Sequence, residues 1–132
     1  MSKDTSKFGF VLLYVESPAA SARFYSELLG RPPAEASPTF AMLPLSDDVM
    51  LGLWSRDTVS PAATAPGGSE VAFTVPDAAA LQDKFAEWLV RGVAVAQPPT
   101  KMDFGHTFVA LDPDGHRLRV FAPEAPRQGA PQ

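Results

Sequence analysis

Apolar positions along this chain gather into short runs of two kinds, in an order that occurs twice. Residues 8–15 form an apolar run rich in β-branched and aromatic side chains, which predicts a buried strand. Ser17 then offers an N-cap with Pro18 at the first helical position, and residues 19–29 have helical composition. Gly30 is placed to end that helix in a left-handed conformation, and Pro32-Pro33 prevents its continuation. Residues 39–45 and 49–55 predict two further strands about the turn Ser46-Asp47-Asp48. The order then begins again: a strand over 70–75, Asp77 as N-cap, and a helix over 78–91 closed by Gly92. Leu81, Phe85, Trp88 and Leu89 share one face of that helix at helical spacing, a core stripe. A short strand over 93–96 and longer ones over 105–111 and 117–121 follow, the last two joined by the turn Asp112-Pro113-Asp114-Gly115.

Each half thus reads as strand, helix, strands, and the fold class expected is α+β, built from two βαβββ modules. One such module covers only one face of its small sheet. Two of them curled together form a half-barrel cleft, the kind of concave surface where small ligands bind. The expected boundaries are one domain over 7–123 with modules at 7–57 and 69–123, and a Pro/Ala/Gly-rich linker over 58–68. Residues 1–6 and 124–132 are polar or rich in Pro, Gly, Ala and Gln, with little to bury, and are expected to be disordered tails.

Composition narrows the chemistry. A chain of 132 residues with 45% hydrophobic content suits a single globular domain. The absence of cysteine excludes disulfides, thiolate catalysis and Cys-ligated zinc. A net charge of −4 without a basic stripe argues against a nucleic-acid partner. No apolar run approaches the roughly 20 residues that span a bilayer, and the charged N-terminal stretch carries no signal segment, so no membrane is expected and the cytoplasm is the simplest compartment. No nucleophile elbow, Walker loop or dinucleotide fingerprint occurs.

Three stretches resemble a known superfamily, that of the vicinal-oxygen-chelate proteins (glyoxalases, bleomycin-resistance proteins and dioxygenases). Phe24-Tyr25 with Leu29-Gly30 resembles its first-helix signature, and residues 70–75 (Glu-Val-Ala-Phe-Thr-Val) resemble its strand opening the second module. Residues 108–116, with Asp112-Pro113-Asp114-Gly115, resemble its final turn. The likeness spans 8–123. It implies paired βαβββ modules and, in the family's enzymes, a divalent metal held by His and Glu. The positions it assigns to those ligands are Phe10, Gly52, Glu70 and Arg119 here. A first-row metal site needs three or four N/O ligands. One carboxylate is left and a cation stands at another position, so no metal and no cofactor are expected.

The antibiotic-binding members of the family imply sequestration of a small aromatic ligand. Period-2 alternation from the former ligand positions puts Phe10, Leu12 and Tyr14 on the cleft side, with Val11, Leu13 and Val15 toward the helices. The same rule adds Met50, Gly52 and Trp54, then Glu70, Ala72 and Thr74, then Arg117, Arg119 and Phe121. The candidate binding residues are Phe10, Leu12, Tyr14, Met50, Trp54, Glu70, Thr74, Phe104, His106, Arg119 and Phe121. Trp54 serves equally as a core or interface side chain. Glu70 and Arg119 are either ligand contacts or an ion pair in place of the metal, because either charge buried alone is costly. His106 follows what reads as a mobile loop, Met102-Asp103-Phe104-Gly105, and with Glu70 it is the catalytic candidate if the protein is an enzyme. Two main readings therefore stand. One is a metal-independent binding protein acting as a homodimer that sequesters an aromatic antibiotic or metabolite. The other is a lyase, isomerase or dioxygenase of the same superfamily using non-standard groups. A small-molecule-sensing accessory protein is a third.

Overall fold

The computed structural model describes residues 6–124, and the tails expected at 1–6 and 124–132 lie outside them except for Ser6 and Glu124. The chain divides into two compact units on either side of residues 65 and 66, inside the Pro/Ala/Gly-rich segment.

The first unit runs β1 (Phe10–Val15), α1 (Pro18–Leu29), β2 (Glu35–Ala36), β3 (Phe40–Pro44) and β4 (Met50–Ser55). The second runs β5 (Glu70–Thr74), α2 (Ala78–Val90), β6 (Ala94–Met102), β7 (Gly105–Leu111) and β8 (Arg117–Pro123). Each is a βαβββ unit with one four-stranded sheet, ordered β1-β4-β3-β2 in the first and β5-β8-β7-β6 in the second. In both, the strand before the helix pairs in parallel with the last strand of its unit. A parallel pair needs a crossover, which the helix supplies.

Local chemistry sets the helix ends. The Ala20 N–H donates to Ser17 Oγ at 3.1 Å, and the Ala80 N–H to Asp77 Oδ1 at 2.8 Å. Gly30 ends α1 at φ 67°. Past α2, Gly92 adopts φ 80° while the Val93 N–H donates to the Trp88 carbonyl at 3.1 Å and the Gly92 N–H to that of Leu89 at 3.0 Å. That pair of bonds is a Schellman closure, and its positive φ is why glycine stands there.

Each helix covers one face of its own sheet. Tyr25 and Leu28 of α1 are buried, as are Leu13, Val15, Ala41, Leu43, Leu51 and Leu53. In the second unit Leu81 and Trp88 of α2 are buried, with Val71, Phe108, Ala110, Leu118 and Val120. Leu89 departs from the expected stripe and is exposed, because the arc through 81, 85 and 88 leaves position 89 at its rim. Among the described residues no helix is long and apolar enough to cross a membrane.

Two strands differ from expectation. The two-residue β2 is too short to leave an apolar pattern, and pairs through Glu35–Met42 and Ala36–Ala41. β6 does not stop at Ala96 but continues through Pro98 and Pro99 to Met102. Proline cannot donate to a ladder, yet β6 is an edge strand and its register shifts between Gln97 and Thr100, so the prolines sit where no partner needs their N–H.

Candidate functional site

Strand alternation leaves the second face of the first sheet without a helix. Phe10, Leu12 and Tyr14 of β1 stand 46%, 42% and 37% exposed, while Leu13 and Val15 between them are 7% and 0% exposed. The register aligns Phe10 with Met50, Leu12 with Gly52 and Tyr14 with Trp54 across the parallel pair. On the other side of β4, Phe40 lies opposite Trp54, Met42 opposite Gly52 and Pro44 opposite Met50. Three strands therefore present one apolar face. Tyr14 and Trp54 meet edge-on at 6.3 Å between ring centroids. Phe10, Leu12, Phe40 and Trp54 line a cavity of about 490 Å³ on it.

Gly52 makes that cavity possible. A Cβ added there would lie 2.6 Å from Leu12 Cδ2 and 3.0 Å from Phe40 Cζ. The two side chains lean together over the bare backbone between them. Gly52→Ala should push Leu12 and Phe40 outward, at a stability cost of about 1–3 kcal/mol, the usual range for overpacking. A urea-unfolding midpoint unchanged from the native protein would contradict that close approach.

The corresponding face of the second sheet is polar. Glu70, Ala72 and Thr74 of β5 align with Arg117, Arg119 and Phe121 of β8. Arg119 forks onto Glu70, with Nε to Oε1 at 2.7 Å and Nη2 to Oε2 at 3.0 Å. Its Nη1 also donates to Thr107 Oγ1 at 3.2 Å and to Gln97 Oε1 at 3.3 Å. Such bidentate charge-assisted bonds fix orientation as well as charge. Those bonds from Arg119 hold the Glu70 carboxyl below its ordinary value of 4.5, against the upward push of burial, and the charges of Arg119 and Arg117 add to the effect. Glu70 in turn raises the Arg119 guanidinium. Of the alternatives the sequence left open, the geometry is the ion pair. Thr74 is exposed on this face, and Phe121 packs edge-on against Phe104 of the β6–β7 turn at 5.7 Å.

His106 stands elsewhere. Residues 103 and 104 form a tight turn between two strands, and His106 is the second residue of β7, paired with Lys101 and Ala122. Alternation gives it the parity of Phe108, which packs against Phe85 and Trp88 of α2, so it lies on the face opposite Glu70 and Arg119. The two catalytic candidates of the second unit are not brought together.

The metal implied by the sequence resemblance does not fit these residues. Phe10 and Gly52 bring no ligand atom, both Glu70 oxygens are taken by Arg119, and Arg119 is itself a cation. Among the described residues no three His, Cys, Asp or Glu side chains gather to hold a metal ion.

Phe40, Gln97 and Arg117 belong to these faces but were not among the candidate binding residues. Phe40 follows from the same alternation once β3 is set in register with β4. Gln97 lay in the stretch where the prolines hid a strand.

Residues 7–120 match the family model described as the Glyoxalase/Bleomycin resistance protein/Dioxygenase superfamily. The phenazine antibiotic resistance protein EhpR of Enterobacter agglomerans is 31% identical over 113 residues, which cover 83% of this chain and 86% of that protein. Protein ATC0852 of Agrobacterium tumefaciens, solved by solution NMR, is 49% identical, with 92% of this chain and 100% of that one covered and a TM-score of 0.83. TnmS3, an antibiotic binding protein from Streptomyces sp. CB03234, is 21% identical with a TM-score of 0.71 over 93% of this chain and 100% of that one, a likeness of fold.

Proposed function

We propose, from the premise that this chain belongs to the Glyoxalase/Bleomycin resistance protein/Dioxygenase superfamily, that it binds a planar aromatic antibiotic or metabolite and holds it unchanged, without a metal. The observation that carries this reading is the cavity of about 490 Å³ walled by Phe10, Leu12, Phe40 and Trp54. An open apolar face on a sheet whose other face is fully packed is a recognised mark of a binding surface. Flat aromatic ligands gain by stacking on such rings, about 0.5–1.5 kcal/mol per pair beyond the area buried. The resistance protein to phenazines, at 31% identity, supports a fused aromatic ring system as the ligand class.

Sequestration is preferred to turnover on chemical grounds. The cavity walls Phe10, Leu12, Phe40 and Trp54 bring no carboxylate or imidazole to move a proton, and the carboxylate on this face, Glu35, stands at its far edge on β2 opposite Met42. In the second unit, Glu70 is held by Arg119 and His106 lies on the other side of the sheet. The reading includes a homodimer in the cytoplasm. Among the described residues β1 and β5 each stand at the end of their own sheet, a position that invites pairing with a second copy. Sedimentation as a monomer at micromolar concentration would exclude the dimer.

The test is recovery. Protein dialysed against excess phenazine should retain it at a saturable site, and denaturation should release it chemically intact. A modified product accumulating beyond one equivalent per chain would overturn sequestration and favour the enzyme reading.

A further inference from the structure

We propose that the second unit carries a binding pocket of its own for a small organic carboxylate, with Arg117 as the residue that recognises it. The pocket is a cavity of about 290 Å³ lined by Ala96, Gln97, Val109, Arg117 and Arg119. All five belong to the second unit, whereas the aromatic face belongs to the first.

Charge is the first argument. Arg117 and Arg119 stand two residues apart on β8 and so share a face. Glu70 is the carboxylate that meets both, and one carboxylate between two guanidiniums leaves a net positive charge, in a chain whose total is −4. The two arginines are not equivalent. Arg119 is committed, with its fork on Glu70 and Nη1 shared between Gln97 and Thr107. Arg117 approaches Glu70 only at 3.9 Å, beyond hydrogen-bond range, and its side chain is 50% exposed. A guanidinium has five N–H donors, and those of Arg117 are available to a ligand at the pocket wall.

Gln97 supplies the second argument. Its Oε1 accepts from Arg119, which turns its amide so that Nε2 is the end left to donate. Among the described residues the only partner of Nε2 is the weak acceptor Met102 Sδ at 3.8 Å. Gln97 and Arg117 line the same pocket, and their N–H donors together suit the oxygens of a carboxylate. Ala96 and Val109 complete the lining with apolar surface, which suits the hydrocarbon body of an organic acid better than a bare inorganic anion.

The experiment uses the full chain labelled with nitrogen-15 and three probes: benzoate, its neutral isostere benzamide, and inorganic phosphate. Benzoate should shift the Val109 amide, the Gln97 side-chain amide and the Arg117 signals in a saturable way. Benzamide should bind those sites at least about tenfold more weakly, the loss expected when a charge-assisted contact is removed. Arg117→Gln should weaken benzoate by a similar factor and leave benzamide unchanged, and Arg117→Lys should restore part of the loss. Equal affinity for benzoate and benzamide, or no effect of Arg117→Gln, would overturn the pocket. Phosphate binding as tightly as benzoate would overturn the carboxylate assignment. Benzoate shifts confined to the Trp54 indole would overturn the location.

Discussion

Phe108→Ala should lower the stability of the protein by about 3–5 kcal/mol, the usual cost of emptying an aromatic site in a packed core. Phe108 is fully buried between the second sheet and α2. It meets Trp88 edge-on at 5.4 Å and Phe85 at 5.2 Å, so three rings share one cluster. Trp88 Nε1 is buried there with no hydrogen-bond partner among the described residues, which leaves the indole to its packing contacts. Truncation would leave a void the size of a ring against rigid neighbours on both sides. Small domains have about 5–15 kcal/mol in total, so the loss would be a large share of it. Urea unfolding followed by far-ultraviolet dichroism reads the change. A loss below about 1 kcal/mol, the scale of a surface substitution, would contradict the packing described.

Arg119→Ala should cost about 1.5–3 kcal/mol at pH 7, the range for hydrogen bonds to a charged group. The cost stays at that level because Glu70 keeps Arg117 nearby and its side chain is 27% exposed, so its stranded charge is partly solvated. Its pH dependence carries the sign of a depressed carboxyl. The folded-state pKa of Glu70 lies below 4.5, so its stabilisation is fully present above that value and is lost as pH falls through the folded pKa. Arg119, raised above its ordinary value by Glu70, stays charged throughout that window. The stability gap between native protein and variant should therefore narrow as pH falls below 4.5 and through the lowered pKa of Glu70. Thermal unfolding at several pH values checks this, and a gap that stayed constant or widened toward acid would show that the pair does not stabilise the fold as an ion pair.

Most of the architecture was legible because it rests on local rules. Ser17, Asp77, Gly30 and Gly92 have the chemistry of helix ends, and they stand at the helix ends. The alternation along β1 separates Leu13 and Val15 from Phe10, Leu12 and Tyr14 because one face of a half-covered sheet must be apolar. Here both faces are apolar, and alternation alone could not mark the outer one as a site. The elements that escaped are those decided by long-range pairing. β2 exists because Glu35 and Ala36 meet β3, and β6 tolerates Pro98 and Pro99 only because it is an edge. His106 was judged from an apparent loop, but the tight turn at Asp103 and Phe104 fixes its parity with Phe108. Arg117 shared a face with Arg119 in the sequence pattern, yet what distinguishes the two is that only Arg119 meets Gln97, Thr107 and both oxygens of Glu70.

The chain has two tryptophans, and they occupy opposite environments. Trp54 stands at the wall of the apolar cavity, while Trp88 is 3% exposed on the buried face of α2. Titration of tryptophan emission with phenazine therefore tests the binding claim most directly. Saturable quenching is expected in the native protein. In Trp54→Phe most of that quenching should disappear, with affinity reduced by roughly 1 kcal/mol for the lost stacking partner. Quenching that survives in Trp54→Phe and vanishes in Trp88→Phe, or an affinity for phenazine unaltered by the Trp54 substitution, would contradict it.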